Sequence, residues 1–171
     1  RLRIPSRPPR TNVLTHMASP DQTSSPEPSL RRTPENPSPV LAARVADAMA
    51  DKRAMNISVI DLREVSSMAD FFVLGTGESD LQVKAIANGI ADHVQETCGE
   101  EPWKREGTDH LQWVVLDYVD VVAHVFLPDK REHYRIDRLW GEADSEIVPE
   151  DGDASDLDLL QDRLQQSSDP A

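Results

Sequence analysis

Nine of the thirteen prolines in this 171-residue chain fall within its first 39 residues, and that imbalance decides where a fold can form. Proline fixes φ and removes a backbone donor, so a stretch this rich in it cannot build helix interiors or central strands. The prolines alternate with Ser, Thr and Arg and with few large apolar residues. Such a segment buries too little surface to offset its ordering entropy, so residues 1–37 are expected to be a disordered Pro/Arg-rich leader. The first sixteen residues hold Arg1, Arg3, Arg7 and Arg10, with no acid before Asp21, and are read as an extension ahead of a true start at Met17. A transit peptide shares that charge pattern. Pro5, Pro8 and Pro9 oppose the amphipathic helix it would need.

The other end is biased in a different way. Residues 144–171 carry nine acids against one Arg, and few aromatics, so they are expected to form an acidic disordered tail. Leu157, Leu160 and Leu164 lie at i, i+3 and i+7 there, a stripe too short for more than transient helix. Residues 40–143 carry nineteen acids against eleven bases, and the whole chain has a net charge of −13. A domain this acidic is poorly suited to neutralising phosphates, which argues against direct nucleic-acid binding and for a basic protein partner.

Within residues 38–143 the patterns alternate between helix and strand. Ser38 and Pro39 read as an N-cap and an N1 proline, opening a helix with Leu41, Val45, Ala48 and Met49 on one face. Residues 57–62 and 71–75 have strand composition. After the Gly75-Thr-Gly77 turn, Ser79 and Gln82 form a capping-box pattern for a helix running to Cys98, closed by Gly99. Its buried stripe is Val83, Ile86, Ala87, Ile90 and Val94. Two adjacent β runs follow at 111–117 and 121–127, and Pro128 opens a short final helix carrying Ile136, Leu139 and Trp140. The order predicts an α/β fold, a mixed sheet flanked by helices.

Several chemistries are excluded on residue type. One cysteine, Cys98, rules out an internal disulfide and a multi-cysteine zinc site and points to a reducing compartment. No apolar run approaches the ~18 residues that span a bilayer. His93, His110, His124 and His133 show no metal-ligand spacing, so no metal or cofactor is expected. The Gly75–Gly77 turn resembles the phosphate-cradling turn of nucleotidyltransferases, which leaves a nucleotide-binding enzyme as the alternative function. Glu78 and Asp80 beside it repel phosphate, and Asp117 and Asp120 are badly spaced for magnesium. A plain capped helix start explains the turn.

What remains is a cluster over residues 113–140. Trp113, Val115 and Asp117 share a strand face by period two; His124 shares one with Val122 and Phe126; Arg131 and Tyr134 lie one helical turn apart. Trp, Tyr and Arg beside a carboxylate have the composition of an interface hot spot. Trp113, Asp117, His124, Arg131 and Tyr134 are therefore the candidate partner-binding residues. For Trp140, near a helix end, core packing is the expectation.

These residues also carry a family resemblance. Ala69-Asp70-Phe71-Phe72-Val73-Leu74-Gly75-Thr76-Gly77-Glu78-Ser79 is followed by Gln82-Val83 and Ala85-Ile86-Ala87. Glu106-Gly107, Trp113 to Asp117, Asp120 to Phe126, then Arg131, Tyr134, Ile136-Asp137 and Leu139-Trp140 complete the series. In this order they resemble the ribosomal silencing factor RsfS, or Iojap, family over residues 40–143. The resemblance implies a nucleotidyltransferase-like fold without the catalytic carboxylates, no enzymatic activity, a homodimer and a cytoplasmic setting. It implies binding to ribosomal protein L14 on the large ribosomal subunit, so that joining of the small subunit is sterically blocked and translation repressed. One departure is Val119, where the family usually has glycine, and a different or looser turn is expected there. His133 and Asp137 also differ from the more usual residues.

Overall fold

The computed structural model describes residues 37–161. Helix α1 (Ser38–Asp51) leads into β1 (Met55–Asp61) and β2 (Phe71–Thr76), and α2 (Asp80–Cys98) crosses to β3 (Lys104–Glu106). Then come β4 (Trp113–Asp117), β5 (Val121–Phe126), α3 (Pro128–Tyr134), α4 (Ile136–Leu139) and β6 (Asp144–Ile147), with a 3₁₀ turn at Ala154–Asp156. The strands form one mixed sheet in the order β3-β4-β5-β2-β1-β6. Only the central pair β2–β5 is parallel, as expected when a helical crossover separates two strands.

Alternation along the strands divides the interior in two. Val59, Phe71, Val73, Val114, Leu116, Val121, Ala123 and Val125 meet α1 and α2. On the other face Ile60, Phe72, Leu74, Val122 and Phe126 meet Leu62 and Ile136. Strands β2 and β5, at the centre of the sheet, are buried throughout. Strand β4 alternates between buried and half-buried positions, since α3 reaches only its Trp113 end, through Tyr134. The half-buried positions are Trp113, Val115 and Asp117.

Local signals placed α2 well. The Ser79 hydroxyl accepts from the Gln82 backbone N–H at 3.2 Å, and Gly99 ends the helix at φ +67. The Gln82 side chain accepts from the Glu78 N–H at 2.7 Å and donates to the carbonyls of Lys52 and Arg53. That ties the helix start to the end of α1. At the first helix the reading needs correction: Pro37 is the N-cap, one residue earlier, and Ser38 is buried with its hydroxyl donating to Asp70 at 2.6 Å. The remainder of the expected leader lies outside the described residues.

The acidic tail is the larger correction. Strand β6 pairs antiparallel with β1, Asp61 opposite Asp144 and Ser58 opposite Ile147. Beyond it Val148, Ala154, Leu157 and Leu160 are buried in the cluster that holds α1, while Leu164 lies outside the described residues. Net negative charge was the disorder signal, and it is compatible with order because the acids stay at the surface while four apolar residues reach the core. The final helix is corrected too. Arg135 adopts φ +48, ψ +48, which separates α3 from α4.

The turn between β4 and β5 takes a positive φ at Val119, the conformation its side chain is expected to disfavour. Val119 sits at φ +75, the Asp117 carboxylate accepts its N–H at 2.7 Å, and the Tyr118 N–H donates to the Val121 carbonyl at 2.9 Å. The hairpin bonds hold a β-branched residue where Cβ crowds the backbone. Val119→Gly should therefore raise stability by about 1 kcal/mol, read as a higher urea midpoint; an unchanged or lower midpoint would mean the turn carries no strain.

Candidate functional site

Residues of four strands and three loops build a groove on the uncovered part of the sheet. Its floor is Phe72, Val115 and Val122; Trp103, Trp113 and Met68 form its sides; Glu106, Asp117 and Val119 edge it; His124 lies at its base. The volume is about 410 Å³. Trp103 is held there by its backbone N–H, which donates to the Asp117 carbonyl at 2.8 Å. Trp103 and Met68 are 52% and 62% exposed, large apolar side chains at the surface beside a carboxylate.

Trp113 is the centre of an aromatic stack. Its ring lies 5.1 Å from Phe126 and 4.6 Å from Tyr134, and Tyr134 is itself 47% exposed. Its indole N–H donates to Nδ1 of His124 at 3.1 Å. His124 is buried between Phe72, with ring centroids 4.6 Å apart, and Phe126. Burial pushes its pKa down to about 4, against a smaller opposing influence from Asp137, so the ring is neutral at pH 7. Trp113, Asp117 and His124 thus line one groove, and Tyr134 stacks on Trp113 outside that lining.

Arg131 is placed differently from them. Nη1 donates to the Asn56 carbonyl at 2.5 Å and to Thr76 at 2.9 Å; Nη2 donates to Ser58 at 3.1 Å and Asp137 at 3.0 Å; Nε donates to Asp137 at 3.2 Å. All five N–H groups face inward. The residue fastens α3 to β1 and β2 and so positions Tyr134 against Trp113. Burial works to raise the pKa of Asp137, but bonds from Arg131 and Ser58 outweigh it and hold the carboxyl below its usual range.

Trp103, Met68 and Phe72 were missed as site residues. Their signal was faint: Trp103 is one of only three tryptophans, but β3 beside it is Lys-Arg-Glu and reads as loop. The Gly75–Gly77 turn has a packing explanation. A Cβ on Gly75 would meet the Met49 sulfur at 2.8 Å, and one on Gly77 would meet Val83 at 3.0 Å. Among the described residues no group of three His, Cys, Asp or Glu is placed to hold a metal ion, and no helix is long and apolar enough to cross a membrane.

A family model described as "Ribosomal silencing factor during starvation" (RsfS) matches residues 35–170. The chain belongs to the RsfS family. The chain is 45% identical over 98 residues to the ribosomal silencing factor RsfS of Bacillus subtilis, covering 57% of this chain and 82% of that one. It is 36% identical over 110 residues to RsfS of Zymomonas mobilis, covering 64% and 82%. A crystal structure of a Chromobacterium violaceum protein superposes with a TM-score of 0.57 at 33% identity, covering 59% of this chain and 83% of that one. RsfS proteins are silencing factors rather than enzymes, and as a member of this family the chain is not an enzyme.

Proposed function

We propose that this RsfS-family chain docks ribosomal protein L14 of the large ribosomal subunit in the groove around Trp113. Bound there, it sterically blocks joining of the small subunit and represses translation. It acts in the cytoplasm, as a homodimer, by occupancy alone. The observation that carries this reading is the half-open face of β4. Trp103, Trp113 and Tyr134 offer rigid apolar area there, and Asp117 and Glu106 offer negative charge to a basic partner. Hot spots are enriched in such aromatic anchors.

Co-sedimentation tests it. The full chain should travel with isolated large subunits and not with small ones. Trp113→Ala removes the central anchor and should weaken binding about thirtyfold, equivalent to roughly 2 kcal/mol. Asp117→Lys adds like-charge repulsion and should weaken it at least as much. Both variants should keep the wild-type circular dichroism spectrum. Folded variants that bind normally would show that another surface makes the contact.

A further inference from the structure

Two nitrogens of His124 are treated differently by the fold. Nδ1 faces the indole N–H of Trp113 at 3.1 Å. An indole nitrogen can only donate, so Nδ1 must accept, and in a neutral imidazole the hydrogen then resides on Nε2. That Nε2–H is buried and has no protein partner. Backbone pairing on both sides of β5 fixes the residue: His124 lies opposite Val115 of β4 and beside Leu74 of β2. The side chain is 6% exposed and lies at the base of the apolar groove. A buried donor left unpaired works against folding, and most such groups in proteins are satisfied. Pairing the Trp113 indole needs only an acceptor at this position, so stability alone gives no reason for a second, unpaired donor.

We infer that Nε2–H of His124 is the donor for a backbone carbonyl of the partner segment seated in the groove. The occupant is an extended stretch of a basic protein that lays one aliphatic side chain on Phe72, Val115 and Val122. Its carbonyl oxygen comes down on the imidazole. The acceptor is neutral for an electrostatic reason. Glu106 and Asp117 line the groove, and with Lys104 paired to Glu106 they leave a net negative charge that disfavours a carboxylate or phosphate. A peptide carbonyl accepts without carrying charge and accompanies every residue of the partner. Met68 and Trp103, the exposed side chains of the groove, flank it. A site that aims a buried donor at its ligand rejects ligands lacking the acceptor, so this bond selects register as well as partner. Trp113 thereby acts twice, as a surface of the groove and as the group that sets the histidine tautomer.

This inference rests on the proposed docking of ribosomal protein L14, and its test separates the two. His124→Leu removes the donor and keeps an apolar filling; His124→Gln restores a donor and an acceptor. Binding of the full-length variants to purified ribosomal protein L14 and to large subunits is measured at pH 7, beside urea denaturation. His124→Leu should stay folded and bind about tenfold more weakly, and His124→Gln, which also offers the Trp113 indole an acceptor, should recover most of the binding. A merely structural histidine would lose stability first. If folded His124→Leu binds as tightly as wild type, the inference is overturned and the docking reading stands. If the wild-type chain binds neither L14 nor large subunits, both fall. Should His124→Leu fail to fold, ¹⁵N-histidine-labelled wild type decides: the Nε2–H resonance should move downfield on adding L14, and an unmoved resonance in the complex would overturn the inference.

Discussion

Ending the chain at Ala143 should cost several kcal/mol of stability and leave a domain that unfolds at much lower urea concentration. Four apolar side chains beyond that point, Val148, Ala154, Leu157 and Leu160, complete the cluster around α1. Strand β6 covers the edge of β1, and the Val148 N–H continues the ladder to the Ile57 carbonyl at 2.8 Å. Arg63 further ties the segment down by donating to the Leu159 carbonyl at 3.3 Å. Leu160 is fully buried, and Leu160→Ala alone should cost about 3 kcal/mol, since a buried leucine cut to alanine loses transfer energy and leaves a cavity. Truncation adds the other three side chains and exposes an unpaired strand edge, an aggregation hazard. Urea denaturation of the full chain, Leu160→Ala and the truncated form measures the series. A truncated form with the wild-type midpoint would mean that residues 144–161 merely lie on the domain.

Acid should weaken the fold before the carboxylates begin to titrate. His124 binds its proton only near pH 4 in the folded chain, because burial opposes the charge, whereas in the unfolded chain it does so near 6.5. Between those values the unfolded state holds more protons, so stability falls as pH falls. The loss between pH 7 and pH 4.5 should be about 2 kcal/mol. Below that window Asp137, whose pKa is depressed by Arg131 and Ser58, adds a loss of the same sign, while Asp47, raised chiefly by burial, works against it. Urea midpoints at pH 7 and 4.5 give the measurement, with His124→Leu as the comparison. Equal acid losses in wild type and variant would place the effect elsewhere.

What the sequence revealed and what it hid follow one physical division. Helix α2 was legible because its signals are local: Ser79 and Gln82 start it, Gly99 stops it, and its stripe repeats at helical spacing. The face of Trp113 and Asp117 was legible because strand alternation needs only two residues of context. Strands β3 and β6 were not, since Lys-Arg-Glu and Asp-Ser-Glu-Ile become strands only through pairing with β4 and β1. The inward role of Arg131 was hidden for the same reason: Asn56, Ser58 and Thr76 lie 75, 73 and 55 residues away. Val119 and Arg135 show the opposite case. Each takes a positive φ that its own type disfavours, held there by neighbours rather than by preference.

The parallel pairing of β2 with β5 governs the order in which a growing chain can fold. Phe71 and Val121 are partners fifty residues apart, and the two central strands cannot join until the second has left the ribosomal tunnel. Before then α1, β1 and β2 have only a hairpin with both edges uncovered, and α2 has no sheet to cross. Long loop closure of this kind slows folding, and an open edge invites mispairing while it lasts. The segment after α4 closes β1 with β6 and seals the core with Leu157 and Leu160. A nascent chain thus forms the face of Trp113 and Asp117 only once β4 and β5 have paired, and gains its full stability only once residues 144–160 have emerged.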